Sequence, residues 1–253
     1  MLSRIGEIQT PLPAPEAVLI GLLAAIVVLG PALWRIATHA ETVVHESAHV
    51  LAGIVTGRSV LSVNINTAGG GATDMVPKSG AGYGVAAFVG YIGSSAAGLI
   101  AAELISIGRI VAVLWLGLLL LAVMLLVVRN FFGGIVILTC GALLYLVVRY
   151  TTAGVQIAVG YGVTWFLLLS GTKVALAAAS RPNDVADAGV LAGMTFLWRS
   201  AWCLLWLAGT IAAVVAGGAL LTHSPGRLRT GPPRGGGPPS RSPPTAAAWC
   251  ARR

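Results

Sequence analysis

The sequence predicts an all-α polytopic membrane protein with about six to seven transmembrane helices and a short β-like segment. Three observations carry this reading. Of 253 residues, 57% are hydrophobic and only 9% charged, with a mean hydropathy of +0.88, outside the range of ordinary soluble domains. Several stretches approach or reach the roughly 20 predominantly apolar residues that cross a bilayer. The connections between them are too short to hold a separate soluble domain.

Residues 1–16 form an N-terminal segment. Glu7, Glu16 and the prolines among them do not resemble a cleavable signal peptide, so the first apolar run is expected to remain as an anchor. Residues 17–222 read as one membrane domain. Its apolar stretches are 17–34, 42–56, 84–107, 110–128, 131–148, 154–170 and 201–221. Glycine-rich joints blur their boundaries by about one span. Cys140, Cys203 and Cys250 are scattered and suggest neither a disulfide framework nor a metal site.

Residues 58–82 are the one sizeable internal stretch without helical character. Val63 and Ile65 alternate with Ser62, Asn64 and Asn66, which fits a short strand with one wet face. The run Ala68-Gly69-Gly70-Gly71 is a turn. Unpaired backbone cannot lie against lipid, so this segment must sit at the surface or line a polar cavity. An edge strand here can pair with an extended substrate; a plain interfacial loop is the other reading.

Residues 223–253 have a different composition, rich in proline, glycine and arginine. Six basic residues and no acid lie there, and such a segment is expected to be disordered. It supplies most of the net charge of +8. The charge fits a solvated cytoplasmic end attracted to anionic lipid, and no nucleic-acid partner is expected.

The chemistry is concentrated in residues 45–49, HESAH, at the head of the second apolar stretch. Positions i and i+4 stack on one helix face. His45 and His49 can therefore offer two imidazoles to one zinc ion, and Glu46 can act as a general base on water. Ionisable groups at membrane depth are costly and usually functional. The competing readings are a hydrogen-bonded or structural metal site in a non-catalytic multi-pass protein, and a small transporter. Internal repeats and paired broken helices would mark the transporter, and the sequence has neither.

A catalytic zinc takes three protein ligands and keeps a position open for water. Two further histidines are available, His39 and His223. His39 lies six positions before His45 on a poorly matching face, and His223 begins the tail. Glu41 shares the face of His45 one turn away, suited to a supporting role. Glu7 and Glu16 precede the first span, Asp74 is in the glycine-rich segment and Glu103 is near a span end. Asp184 and Asp187 remain.

At this point the residues resemble a known family. HESAHVLAG, Gly71-Ala72-Thr73, the small-residue span AFVGYIGSSAAGLI and the later ADAGVLAGMTFLWRSAW are together similar to the site-2 protease-like membrane metallopeptidases. They most resemble a bacterial branch whose late motif reads Ser-Asp-Ala, Leu-Ala, Thr, Trp. On that pattern Asp187 falls on the motif aspartate, with Ala188, Leu191, Ala192, Thr195 and Trp202 following; Ala186 stands where serine is usual. The resemblance implies an intramembrane zinc metalloprotease of a bacterial plasma membrane. His45, His49 and Asp187 are the implied ligands and Glu46 the implied base. The implied partner is a membrane-spanning or membrane-associated protein substrate. Seven strictly alternating spans, however, put Asp187 at the opposite face from His45. Either one stretch between 110 and 170 fails to cross, or residues 180–198 re-enter the membrane.

Overall fold

The computed structural model describes residues 8–223. The expected disordered tail beyond His223 lies outside them, as do residues 1–7. In chain order the elements are α1 (Ala14–Leu29), α2 (Pro31–Val55), β1 (Ser59–Ile65), β2 (Gly71–Val76), α3 (Ala81–Ser106) and α4 (Ile110–Val127). Then come α5 (Phe131–Tyr150), α6 (Ala153–Ser180), a 3₁₀ turn (Pro182–Asp184), α7 (Ala186–Met194) and α8 (Arg199–Thr222). Among the described residues the regular structure is helical apart from one hairpin. Helices α3, α4, α5, α6 and α8 are long and apolar enough to cross a membrane.

The stretches 17–34 and 42–56 are not two spans. The apolar run breaks at Gly30-Pro31, and α1 and α2 diverge by 96°. Pro31 has no N–H to offer the carbonyl of Val27 and pushes Gly30 out of helical backbone, to φ −71° and ψ 119°. Lys173 from α6 closes the break. Its ammonium donates to Val28 O and lies 4.1 Å from the centre of the Trp34 ring. A cation is thus held at the negative end of α1. The pair starts where Gln9 N–H bonds to Gly108 O at 2.8 Å and ends beside the start of α3. It forms one broken span, the sixth, at the lower end of the predicted number.

Helix α3 is the hub and packs on α2, α6, α7 and α8. Small buried residues every four positions, Gly90, Ser94, Gly98 and Ala102, let neighbouring backbones approach closely. One apolar cluster joins Ala17, Ile105, Ile110, Leu168 and Leu221 at the end opposite the hairpin. A second surrounds Trp206 and Cys203 beneath α7. A third packs Val43, Val50, Val63, Ile65, Met124 and Ile137 between α2, the hairpin, α4 and α5.

The segment 58–82 forms a two-stranded antiparallel hairpin, with Val63 opposite Thr73 and Ile65 opposite Gly71. A register irregularity falls between Val60 and Ser62. Val63 and Ile65 are fully buried, as the alternation predicts, while Leu61 is 53% exposed. Asn130 clasps the outer edge of β1: Ile65 N–H donates to its Oδ1 at 3.0 Å, and its Nδ2 donates to Ile65 O at 2.7 Å. Arg58 reaches over the next loop and donates to the carbonyls of Pro77 and Ser79. The Val76–Pro77 peptide is cis.

Helix α7 has nine residues, about 14 Å at 1.5 Å per residue, half the thickness of the hydrocarbon. It cannot cross and folds back against α3 and α8. Thr195 ends it by donating to Leu191 O at 2.7 Å, and Trp202 Nε1–H donates to Thr195 Oγ1 at 3.2 Å. Arg199 ties the start of α8 to Asn183 O at 2.9 Å.

Candidate metal centre

HESAH lies well inside α2, whose first residue is Pro31, and not at the head of a helix. The motif therefore sits towards the end of the broken span, on the side where α3 begins. Helices α3, α4, α5 and α6 then make an even number of crossings and return the chain to that side. There α7 delivers Asp187. The conflict over opposite faces came from counting two spans where there is one broken one.

The three side chains converge. His49 Nε2 is 3.4 Å from Asp187 Oδ2, His45 Nε2 is 3.8 Å from the same oxygen, and the two imidazole nitrogens are 3.2 Å apart. Among the described residues, His45, His49 and Asp187 are the group that could hold a metal ion. Tetrahedral zinc with ligand bonds of about 2.0–2.2 Å needs donor atoms about 3.3–3.5 Å apart. The observed triangle fits that size.

Hydrogen bonding fits it too. His49 Nδ1–H donates to Ala86 O at 2.8 Å; a carbonyl only accepts, so neutral His49 keeps its lone pair on Nε2. That lone pair faces a second imidazole nitrogen and a carboxylate oxygen. Two imidazole nitrogens and a carboxylate oxygen turned towards one point could hold a shared cation, and two nitrogens with one oxygen are a donor set suited to zinc.

Neighbouring elements make the triangle possible. A Cβ on Gly90 of α3 would stand 3.0 Å from His45 Nε2 and closer still to the His49 ring, so only glycine admits both rings. His45 packs edge-on against Tyr91, with ring centres 4.9 Å apart. Tyr91 in turn stacks on Trp206 at 4.5 Å, and Trp206 Nε1–H is anchored on Phe88 O at 2.9 Å. Orientation of His45 thus reaches across α3 to α8.

Glu46 is 3% exposed. Its Oε2 accepts from Thr73 Oγ1 at 2.6 Å. A Cβ on Gly71 would stand 2.5 Å from its Oε1, so β2 lies directly on the carboxylate. Glu41, also buried, accepts from Ser94 Oγ at 2.9 Å and lines the same cavity. Asp184 is exposed at the cavity wall and outside the triangle. His39 also stands apart, edge-on to Phe132 at 5.2 Å. The structure thus brings together His45, His49, Asp187 and Glu46. Thr73, Gly90, Tyr91 and Trp206 join them without having been singled out individually in the sequence. The motifs GAT and AFVGYIGSS contain the first three, but nothing in spacing alone assigns them to the histidines.

A cavity of about 450 Å³ opens over these groups. Its walls come from α2, the turn and strand 69–75, the start of α3 and the 3₁₀ turn leading into α7. Strand β2 pairs with β1 on one edge and borders the cavity through Gly71, Ala72 and Thr73. Polar backbone at membrane depth is tolerated only in such a place.

The family model described as Peptidase M50B-like matches residues 18–217, a range that holds the whole triangle and both the hairpin and α7. No curated protein and no solved structure matches the chain.

Proposed function

The chain belongs to the Peptidase M50B-like family, and from that premise we propose that it is an intramembrane zinc metalloprotease. In this reading His45, His49 and Asp187 are the zinc ligands and Glu46 is the general base. The observation that carries the proposal is the triangle itself: three lone-pair donors at tetrahedral spacing, beside a buried carboxylate, at the wall of an open cavity. A structural metal site would be closed by a fourth protein ligand; among the described residues the triangle has three members.

When bound, zinc supplies Lewis acidity, making water nucleophilic near neutral pH and polarising the scissile carbonyl. The chain's residues do the rest. Glu46 takes the proton from the attacking water and passes it to the leaving amine. The hydroxyl of Thr73 holds one oxygen of that carboxylate, and the other lies against Gly71. Ala86 fixes the tautomer of His49, and Tyr91 fixes the plane of His45. The free edge of β2 receives the substrate in extended form and supplies main-chain partners once its helix has unwound. The substrate class is a membrane-spanning or membrane-associated protein, and the location a bacterial plasma membrane.

The test is Glu46→Gln in the full-length protein, co-expressed with single-span substrates. Zinc content is expected to stay at the wild-type level while cleavage falls by about 100-fold or more. Cleavage at the wild-type rate would end the protease reading of this site.

A further inference from the structure

The cavity over the metal centre offers few side chains that can donate a hydrogen bond to a developing negative charge. Its lining holds no lysine, arginine, asparagine or glutamine, and its hydroxyls are those of Thr38, Thr42, Thr73, Tyr83 and Tyr91. Two are committed: Thr42 Oγ1 donates to Gly69 O at 2.7 Å, and Thr73 Oγ1 to Glu46 Oε2 at 2.6 Å. Thr38 lies on α2 seven residues before His45, about 10 Å along the axis. Tyr83 lies on α3 eight residues before Tyr91, about 12 Å along the axis, with the Arg58 guanidinium 5.6 Å from its ring centre. Of the five, Tyr91 is the residue whose ring packs against His45.

Helix geometry directs the Tyr91 hydroxyl. Cα–Cβ bonds tilt towards the N-terminus of a helix, and aromatic side chains lie over the preceding turn. Helix α3 starts at the end where the hairpin and α7 lie. Tyr91 therefore reaches from beside Gly90, which is level with the two imidazoles, back past Ala87, another residue of the cavity wall. Stacking on Trp206, with the ring planes 19° apart, fixes its orientation. The buried side-chain polar atoms without a partner among the described residues are His39 Nδ1, Arg58 Nε and Ser95 Oγ. The Tyr91 hydroxyl, which no described residue engages in a hydrogen bond, is not one of them and opens on the cavity. It is near enough to Asp187, Glu41 and Glu46 for their carboxylates to act on it electrostatically.

We infer that Tyr91 is a catalytic residue of the hydrolysis proposed above, its phenol O–H donating a hydrogen bond to the oxygen of the scissile carbonyl; the inference rests on the protease reading. As the water oxygen bonds to the carbonyl carbon, the π pair of the C=O bond moves onto the carbonyl oxygen, and Glu46 holds the proton lost from the water. The hydrogen bond from Tyr91 strengthens as that oxygen gains charge. A phenol keeps its proton at neutral pH, so Tyr91 neither gains nor loses one. When the electron pair returns, the C–N bond breaks and the proton on Glu46 passes to the amine nitrogen.

Tyr91→Phe in the full-length protein removes the hydroxyl and keeps both ring contacts. Assayed in vesicles on a single-span substrate, its kcat should fall by about 100-fold, with KM and zinc content unchanged. A phosphinic peptide, whose anionic oxygen takes the place of the developing charge, should bind the variant about tenfold more weakly or worse. The amine product should bind wild type and variant alike. Wild-type kcat in Tyr91→Phe would overturn the inference, as would a raised KM at unchanged kcat, the mark of uniform binding. Zinc lost in step with activity would also overturn it, leaving Tyr91 only a support for His45. The two readings fail separately: wild-type cleavage in Glu46→Gln ends the protease assignment, whereas wild-type cleavage in Tyr91→Phe ends the role of the hydroxyl alone.

Discussion

His49 shows how much a single residue settles. Its Nδ1–H is committed to Ala86 O, so in neutral His49 the other nitrogen is the acceptor, and HESAH pointed to an imidazole in that place. The place of Glu46 was legible in the same way: the motif sets it beside His45, and the fold buries it at the wall of the same cavity. Thr73 and Gly90 were not: they meet the motif from 27 and more residues away, and no local pattern encodes that meeting. Thr73→Val should leave zinc bound and lower cleavage by about tenfold, because the Glu46 carboxylate loses its orienting donor; turnover and metal content are read on the same preparation. Gly90→Ala should weaken zinc affinity by about 10- to 100-fold, since a methyl group cannot coexist with both imidazole rings. A zinc competition titration measures it, and unchanged affinity would mean that the rings move freely.

At the scale of elements, length and hydropathy placed α3, α4, α5 and α8 within a few residues, and alternation in 61–66 pointed to β1 but not to its partner β2. Polar fragments of apolar helices were read less well. The long α2 was split because Arg35, His39 and Glu41 interrupt its hydrophobic face, and tertiary packing overrides that interruption by burying Glu41 against Ser94. The extension of α6 to Ser180 was missed because Lys173 looked like a loop residue. It is instead the partner of the carbonyl freed at the α1–α2 break. Lys173→Met should therefore destabilise the protein by about 2 kcal/mol, measured by thermal unfolding in detergent, with the melting temperature recovered in part by Lys173→Arg. The short α7 was foreseen only as one of two ways out of a topological conflict. Its motif residues now have physical roles: Ala188 and Leu191 are its buried face, and Thr195 with Trp202 turns the chain back into α8.

For the whole molecule, six spans make a parity statement. The hairpin, the connection 128–130, the turn at 181–185 and the start of α8 share one end. Residues 8–13, Gly108 and His223 share the other, joined through Leu12, Ile105, Ile110 and Leu221. His223 and the mouth of the metal cavity therefore lie at opposite ends of the spans. After removal of the native cysteines, Ser79→Cys and Asn183→Cys should react with a membrane-impermeant thiol reagent from one side of sealed vesicles. Thr152→Cys and His223→Cys should react from the other side only. Sequence supplied the number of spans to within one, but parity depends on whether a bend is a boundary, and 96° at Gly30-Pro31 is a feature of packing.

The triangle of His45, His49 and Asp187 is the centre of the account, and its metal occupancy tests it most directly. Purified full-length protein should hold one zinc per chain, with X-ray absorption giving two imidazole nitrogens and carboxylate or water oxygens at about 2.0–2.2 Å. Asp187→Ala should weaken zinc binding by about tenfold or more, while Asp184→Ala keeps it at the wild-type level. Retained affinity in Asp187→Ala, or loss in Asp184→Ala, would contradict the assignment of the third ligand and the site built on it.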